Sequence, residues 1–475
     1  MPENVTQSLA RFASGLTYEQ IPARARDHCK SLLLDALACA LAGHQGEETH
    51  QMAALASGLA QSLESSVIGG DRLSLAGATL LNGYLITAVT MCDVHRATLT
   101  HITPEVVPPA LAIAERDALS GRDLLTALAG GCEVMTRIGV AMDWPAARAK
   151  GWHGPGVLGP FGAAAAVGRL LGFDEDTMAR AFGLAGSQSA GTFAAWGTPT
   201  VKFHQCRGAL SGLMAALLAQ QKFVATREFL TAPDGGLFST YSNGGRPELL
   251  TDGLGTRWEL ENIALRLWPS ASTLQGFITA MFDLVEKHRL GIDQVRRLRV
   301  SLNKAAVDMH GIFPRYQGKF EALLSTHYCA AAILHDRALT LAQFEPGRYN
   351  DPVLASFAAE RVEMKADPAL SGVQCVVEAE TVDGRTVGVR CDHPRGSPEN
   401  PLARAQIEEK FRAYAGALLP GPAVEEALGA IAKLEELKSV RRLMDLLRAG
   451  DGMRAAKSPR ASRTPLLQRG AGGIG

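Results

Sequence analysis

Residues 373–391 read VQCVVEAETVDGRTVGVRC. Apolar and polar residues alternate on both sides of Asp383-Gly384, which predicts two antiparallel strands, because Asp-Gly accepts the backbone conformation of a two-residue hairpin. Upstream, VRRLRVSL at 295–302 predicts another strand, while 317–335 and 351–358 carry helical spacing. This mixed segment begins after Pro269, and helical periodicity returns from Pro401 to about Leu447. Before it, from Thr6 to about Leu260, apolar residues recur three and four apart with many Ala. The run SLLLDALACALAG at 31–43 is apolar nearly all round and stops at Gly43, the mark of a helix packed deep in a bundle or at a subunit interface. Further helices are predicted at about 77–90, 105–117, 121–140, 160–171, 175–186 and 206–221. The chain therefore reads as mostly α. A large all-helical domain is formed by both chain ends, 1–268 and 396–450, with a smaller α+β domain inserted at 269–395. Residues 451–475, rich in Gly, Pro, Ser and Arg, read as a disordered tail.

Composition narrows the partners. The chain has 475 residues, 47% of them hydrophobic, enough to bury a full core. Lys plus Arg equals Asp plus Glu at 48 each, so no global field favours nucleic acid or an anionic membrane, and any preference for anions is local. The eight Cys are scattered without a CxxC pair, which suits reduced, buried thiols in a cytoplasmic protein. The longest apolar stretches are broken by Gly, Ser or charge, and no signal peptide stands at the N-terminus, so neither export nor a membrane span is expected.

Three short Gly/Pro/Thr segments each place a His or Lys ahead of a small-residue helix: His101 before ITPEVVPPA, His153 in GWHGPG, and Lys202 before GALSGLMAA. Helix N-termini converging on one point present free N–H groups and the positive end of the dipole, a setting for an acidic small molecule. The literal GxGxxG at Gly154, Gly156 and Gly159 follows DWPAARAK, which is no strand, so a dinucleotide site is not expected. The Cys spacing supports no iron–sulfur cluster, and Asp93, His95 and His101 alone make a poor zinc set. No GxSxG elbow, Walker loop or kinase element occurs. His28, His44, His50, His288 and His393 read as surface or loop residues. What remains is acid–base chemistry on a carboxylate, with no metal and no cofactor.

Taken in order, several pieces resemble the MmgE/PrpD family of 2-methylcitrate dehydratases and cis-aconitate decarboxylases. They are LNGY (81–84), CDVH (92–95) leading to His101, GPFGAAAA (159–166) after His153, AGSQSAG (185–191), Phe203-His204 with Arg207-Gly208-Ala209, and RGSPENPL (395–402) before Lys410-Phe411. The resemblance spans nearly the whole chain. It implies an all-helical domain completed by both chain ends, an α+β lid, a homodimer, and an active site between the domains. It carries the catalytic roles onto Asp93, His101, His153 and Tyr328, and substrate binding onto Lys202, Arg266, His95, His204 and Arg207. Arg266 stands where the family has Lys, and Ala271 where it has a proton donor. The implied activity is a lyase, dehydratase or decarboxylase, moving a proton next to a carboxylate of a small di- or tricarboxylic acid, with His101 or His153 as base. Alternatives are an epimerase of an iminodisuccinate-like dicarboxylate, or a carboxylate-binding protein that has lost the chemistry.

Overall fold

The computed structural model describes residues 4–449; the tail reading of 451–475 lies outside the described residues. The spacing of apolar residues becomes helices over Ala23–Gly43, Leu75–Ala88, Thr103–Arg116, Gly121–Ala141, Gly154–Leu170, Glu175–Gly186 and Thr200–Gln220, and the fold is mostly α with small sheets. Small residues let three of these helices meet backbone to backbone. A Cβ on Gly162 would stand 3.0 Å from the Gly131 carbonyl oxygen, and one on Gly212 would stand 2.5 Å from that of Pro160. Close approach of this kind gains dispersion contacts that a side chain would block. Two helices begin earlier than their apolar pattern predicts, at Gly154 instead of 160 and at Thr200 instead of 206. Pro155 in the first turn has the fixed φ a helix start needs, so His153 becomes the N-cap residue.

The Ala23–Gly43 helix is buried along most of its length against Leu75–Ala88 and Arg404–Ala415. Residues 31–43 are thus covered by this chain itself, and the bundle-core alternative holds for them. The returning C-terminal helix is fastened by Lys410, whose Nζ lies 2.6 Å from Asp35 Oδ1 and donates to the carbonyls of Met91 (3.2 Å) and Arg266 (2.9 Å). A buried ion pair is tolerable only when its remaining donors are satisfied. Here those donors also pin the two segments that carry the site. Gly121–Ala141 is the one described helix long and apolar enough to cross a membrane, yet 94% of its apolar window is buried in the protein. It also carries a buried Arg137–Glu133 pair at 2.5 Å, whose carboxylate accepts the N–H groups of Glu259 and Leu260. It is a core helix.

Apolar side chains form two cores. One runs from Leu9 to Leu265 and from Ile407 to Leu447, with Leu341 joining it. The other runs from Trp268 to Cys391, with Val201 joining it. The second surrounds a four-stranded sheet ordered Val362–Ala366, Val295–Leu302, Cys375–Thr381, Thr386–Cys391, in which the first pair is parallel and the others antiparallel. The hairpin turns at Asp383-Gly384, where Gly384 has φ +85°. The strand Val362–Ala366 was not expected: it is an exposed edge whose charged residues hide the alternation. The helical pattern of 317–335 breaks at Ser325, whose hydroxyl accepts the Tyr328 N–H and starts a new helix over Thr326–Asp336. His28 and His44 are not idle surface groups, since their Nε2 atoms bond the carbonyls of Ile263 (3.0 Å) and Ile68 (2.7 Å).

Candidate active site

Between the two cores lies a cavity of about 280 Å³. His101, His153, Lys202 and Arg266, read from the sequence as site residues, all line it, together with Arg148, Gln205, Thr273, Asn303, Met309 and aromatic side chains. Asp93, His95, His204, Arg207 and Tyr328 are not on its wall, and the reasons are local.

Asp93 is the hub of the turn that presents His101. Its Oδ2 accepts the Ile102 N–H (2.9 Å), and its Oδ1 accepts the N–H of Thr103 (3.1 Å) and the Thr103 hydroxyl. These are free donors at the start of the Thr103–Arg116 helix, which a carboxylate satisfies well. Burial pushes the Asp93 carboxyl up to about 6, against the Thr103 and backbone donors that lower it. Its backbone carbonyl accepts from His101 Nδ1 at 2.6 Å. A carbonyl only accepts, so Nδ1 carries the proton and Nε2 keeps its lone pair. Burial, then the charge of Arg266, hold His101 down to about 3, so it is neutral in the free protein.

His153 caps the Gly154–Leu170 helix, and its N–H donates to the Gly191 carbonyl (3.0 Å). Its Nδ1 lies 2.9 Å from Nδ1 of His204, so the two imidazoles share one proton across that contact. Burial, then His204, hold His153 down to about 3. His204 is thereby a support for His153. Arg207 spends its guanidinium on the carbonyls of Gln188 (2.8 Å), Gly156 (2.9 Å) and Ala190 (2.8 Å), closing the AGSQSAG loop onto the helix start. His95 bonds Thr98 Oγ1 (2.9 Å) and Glu259 Oε1 (3.0 Å). It sits in the short pairing of Val94–His95 with Ile263–Ala264 that brings Arg266 beside Cys92. The Tyr328 hydroxyl donates to the Gln343 carbonyl, and its ring packs on Tyr316 and Phe344, within the second core.

The cations decide what the cavity can hold. Arg266 is 1% exposed. It donates to the carbonyls of Cys92 and Ser270 (2.8 Å to the latter), and its Nη2 lies 3.5 Å from the Cys92 thiol. Burial pushes that thiol up to about 12, so it is no counter-ion, and among the described residues no carboxylate forms an ion pair with Arg266. Lys202, 5% exposed, has Nζ 3.4 Å from Glu48 Oε2 and 4.9 Å from the Phe320 ring centroid. Burial pulls its pKa down, and Glu48 opposes this. Arg148 and Thr273 escaped sequence reading. Arg148 has only the signal of a cation shortly before GWHGPG, and Thr273 has none. Among the described residues no cluster of three His, Cys, Asp or Glu side chains could hold a metal ion. A buried guanidinium without an anion costs several kcal/mol unless one is supplied. A carboxylate entering the cavity would supply it, and two neutral imidazoles stand on the same wall.

Comparison with known proteins gives the same direction. The MmgE/PrpD N-terminal domain matches residues 7–250 and the MmgE/PrpD C-terminal domain residues 268–436. A cis-aconitate decarboxylase-like protein of Aspergillus oryzae is 30% identical, with 94% of this chain and 97% of the relative covered. The cis-aconitate decarboxylase of Aspergillus terreus is 26% identical, over 93% and 96% of the two chains. That of Homo sapiens is 27% identical, over 94% and 95%.

Proposed function

The chain belongs to the MmgE/PrpD family, and from that premise we propose that it is a cofactor-independent lyase that releases carbon dioxide from an unsaturated tricarboxylic acid of the cis-aconitate kind. The observation that carries this reading is Arg266, a buried cation facing the cavity with only neutral partners of its own. The names of relatives matched over nearly their whole length support the reaction class.

The proposed steps use these residues in turn. One substrate carboxylate pairs with Arg266 and another with Lys202. Pairing cancels part of the charge that holds His101 down and adds an anion beside it, so binding draws a proton onto Nε2. The C–C bond to the departing carboxylate then breaks. Its electron pair shifts through the neighbouring alkene, and the far carbon, next to a retained carboxylate, takes the proton from His101, which returns to its neutral form. The products are carbon dioxide and a dicarboxylic acid with a terminal alkene. Trp144, Phe193, Trp196, Val201 and Phe320 line the cavity and lower its dielectric, which strengthens the charge contacts. An epimerase would need proton carriers on opposite faces of the carbon. His101 and His153 both come from the helical side, and Ala271 offers none on the other.

Proton NMR in D2O with cis-aconitate, citrate and 2-methylcitrate tests the proposal. The expected result is new vinyl signals from cis-aconitate, with one deuterium on the carbon next to a carboxylate. His101→Ala should lower the rate at least about a hundredfold. No turnover of any of these acids by the wild type, or full activity in both His101→Ala and His153→Ala, would sink it.

A further inference from the structure

A third guanidinium borders the cavity. Arg148 stands in the last turn of the short Trp144–Ala149 helix, with its Cζ 3.3 Å above the ring centroid of Phe193. Phe193 in turn stacks on Trp196, with centroids 5.2 Å apart and planes 7° apart. All three side chains line the cavity. Stacking engages the flat face of the guanidinium and leaves its N–H edge open, and among the described residues no carboxylate forms an ion pair with Arg148. A guanidinium fixed this way loses little rotamer freedom on binding, and its fork matches a carboxylate with two parallel hydrogen bonds. Its charge is already felt across the site, since it helps hold His153 down. Exposure orders the three cations: Arg266 and Lys202 are buried, and Arg148 is half-buried.

We propose that Arg148 receives a third carboxylate, so that the Arg148–Phe193–Trp196 stack sets the preference of this cavity for tricarboxylates over dicarboxylates. This deepens the lyase reading and rests on it only for the class of ligand. Arg266 and Lys202 suffice for two carboxylates. A third would otherwise be left against the aromatic side chains of the cavity without a counter-charge, a costly position for an anion.

The test uses equilibrium binding of an unreactive acid, so it does not depend on turnover. Propane-1,2,3-tricarboxylate and its two truncations, glutarate and methylsuccinate, are titrated calorimetrically into the full-length wild type, Arg148→Met and Arg148→Lys. Arg148→Met keeps bulk on the Phe193 ring and should weaken the tricarboxylate about ten- to hundredfold, the worth of a charge-assisted pair of hydrogen bonds. At least one truncation should bind this variant within about twofold of wild type, because it lacks the carboxylate that Arg148 holds. Arg148→Lys should recover part of the loss, and KM for cis-aconitate should rise while kcat stays within a few-fold. Equal weakening of all three acids, no weakening of the tricarboxylate, or a wild type that binds none of them would overturn the proposal. Selective binding without any turnover would leave Arg148 in place and overturn the lyase reading alone.

Discussion

The two walls of the cavity are built on opposite plans. The wall from the helical body carries His101, His153, Arg148, Lys202 and Arg266, whereas the facing wall carries Ala271, Ser272, Thr273, Asn303, Met309 and Phe320 and has no ionisable side chain among its lining residues. The charged wall is also the braced one. Asp93 ties the His101 turn to a helix start, Lys410 and Asp35 lock the segments at Met91 and Arg266, and Glu259 holds His95. All these charged and imidazole side chains come from chain segments before Leu267, although Arg266 is also held by the Ser270 carbonyl and Lys202 lies over the Phe320 ring. Preorganised charge is the main source of catalytic stabilisation, and it is worth most where it need not be rebuilt at each turnover. The facing wall is left to provide shape and to exclude water.

Removing Arg266 is the strongest way to break this contrast. Arg266→Gln keeps a donor for the Cys92 or Ser270 carbonyl but deletes the buried charge. Losing one partner of a buried charge pair costs about 2–5 kcal/mol, so kcat/KM for cis-aconitate should fall about a thousandfold. Arg266→Lys, which retains charge but not the fork, should fall by about tenfold. Steady-state kinetics that show less than a tenfold loss for Arg266→Gln would mean that the substrate carboxylate binds elsewhere.

Acidity sharpens the contrast by a smaller factor. His101 is held down to about 3 in the free protein, and the proposed step needs it protonated once substrate is bound. Binding must therefore take up a proton. Expressed per fully ionised acid, kcat/KM should rise about tenfold per unit as pH falls from 8 to 7, while kcat stays nearly flat. A reaction begun by base abstraction has the opposite sign, keeping its full rate at neutral pH and losing it only towards the lowered pKa. Calorimetry in buffers of different ionisation enthalpy checks this directly, by the proton taken up on binding. The range stays above about 6.5 for a reason. His28, His101, His153 and His310 are buried with lowered pKa values, so the unfolded chain binds more protons than the folded one. The stability they contribute is present above about 6.5 and is lost as pH falls towards their folded values.

The sequence was legible where chemistry travels with local pattern. The helices, the hairpin at Asp383-Gly384 and the strand Val295–Leu302 are all periodicities read along the chain. His101, His153 and Lys202 stand out because each precedes a recognisable helix start, and Arg266 stands out only through the family resemblance; all four line the cavity. The resemblance gives Asp93 a catalytic role, and nothing local shows that its carboxylate also caps a helix nine residues further on. It gives Tyr328 one too, and the contact of that hydroxyl with a carbonyl fifteen residues away is equally invisible locally. Arg148 becomes visible only when Phe193 folds beneath it. Val362–Ala366 becomes a strand only by pairing with a segment some sixty residues upstream. What the sequence withheld is in each case a contact made by tertiary folding.

The smallest effect on rate is expected where the uncharged wall is hydrogen-bonded to an imidazole behind it. Thr273 Oγ1 lies 2.6 Å from His310 Nε2, and His310 Nδ1 lies 3.0 Å from the Leu324 carbonyl. The carbonyl fixes the proton on Nδ1, so the Thr273 hydroxyl donates to Nε2, and burial holds His310 neutral with a pKa of about 4. This bond joins the Ser272–Leu274 turn to the end of the Lys304–His310 helix, and its work is to shape the wall. Thr273→Val leaves a buried acceptor without its donor, a loss of about 1–3 kcal/mol. The melting temperature should drop by several degrees while kcat on cis-aconitate stays within about threefold. Thr273→Ser, which restores the donor, should recover the lost stability. The converse result, a hundredfold loss of kcat at unchanged melting temperature that Ser rescues, would place proton transfer on the second wall. The division between a charged, braced wall and a shaping one would then fail at Thr273.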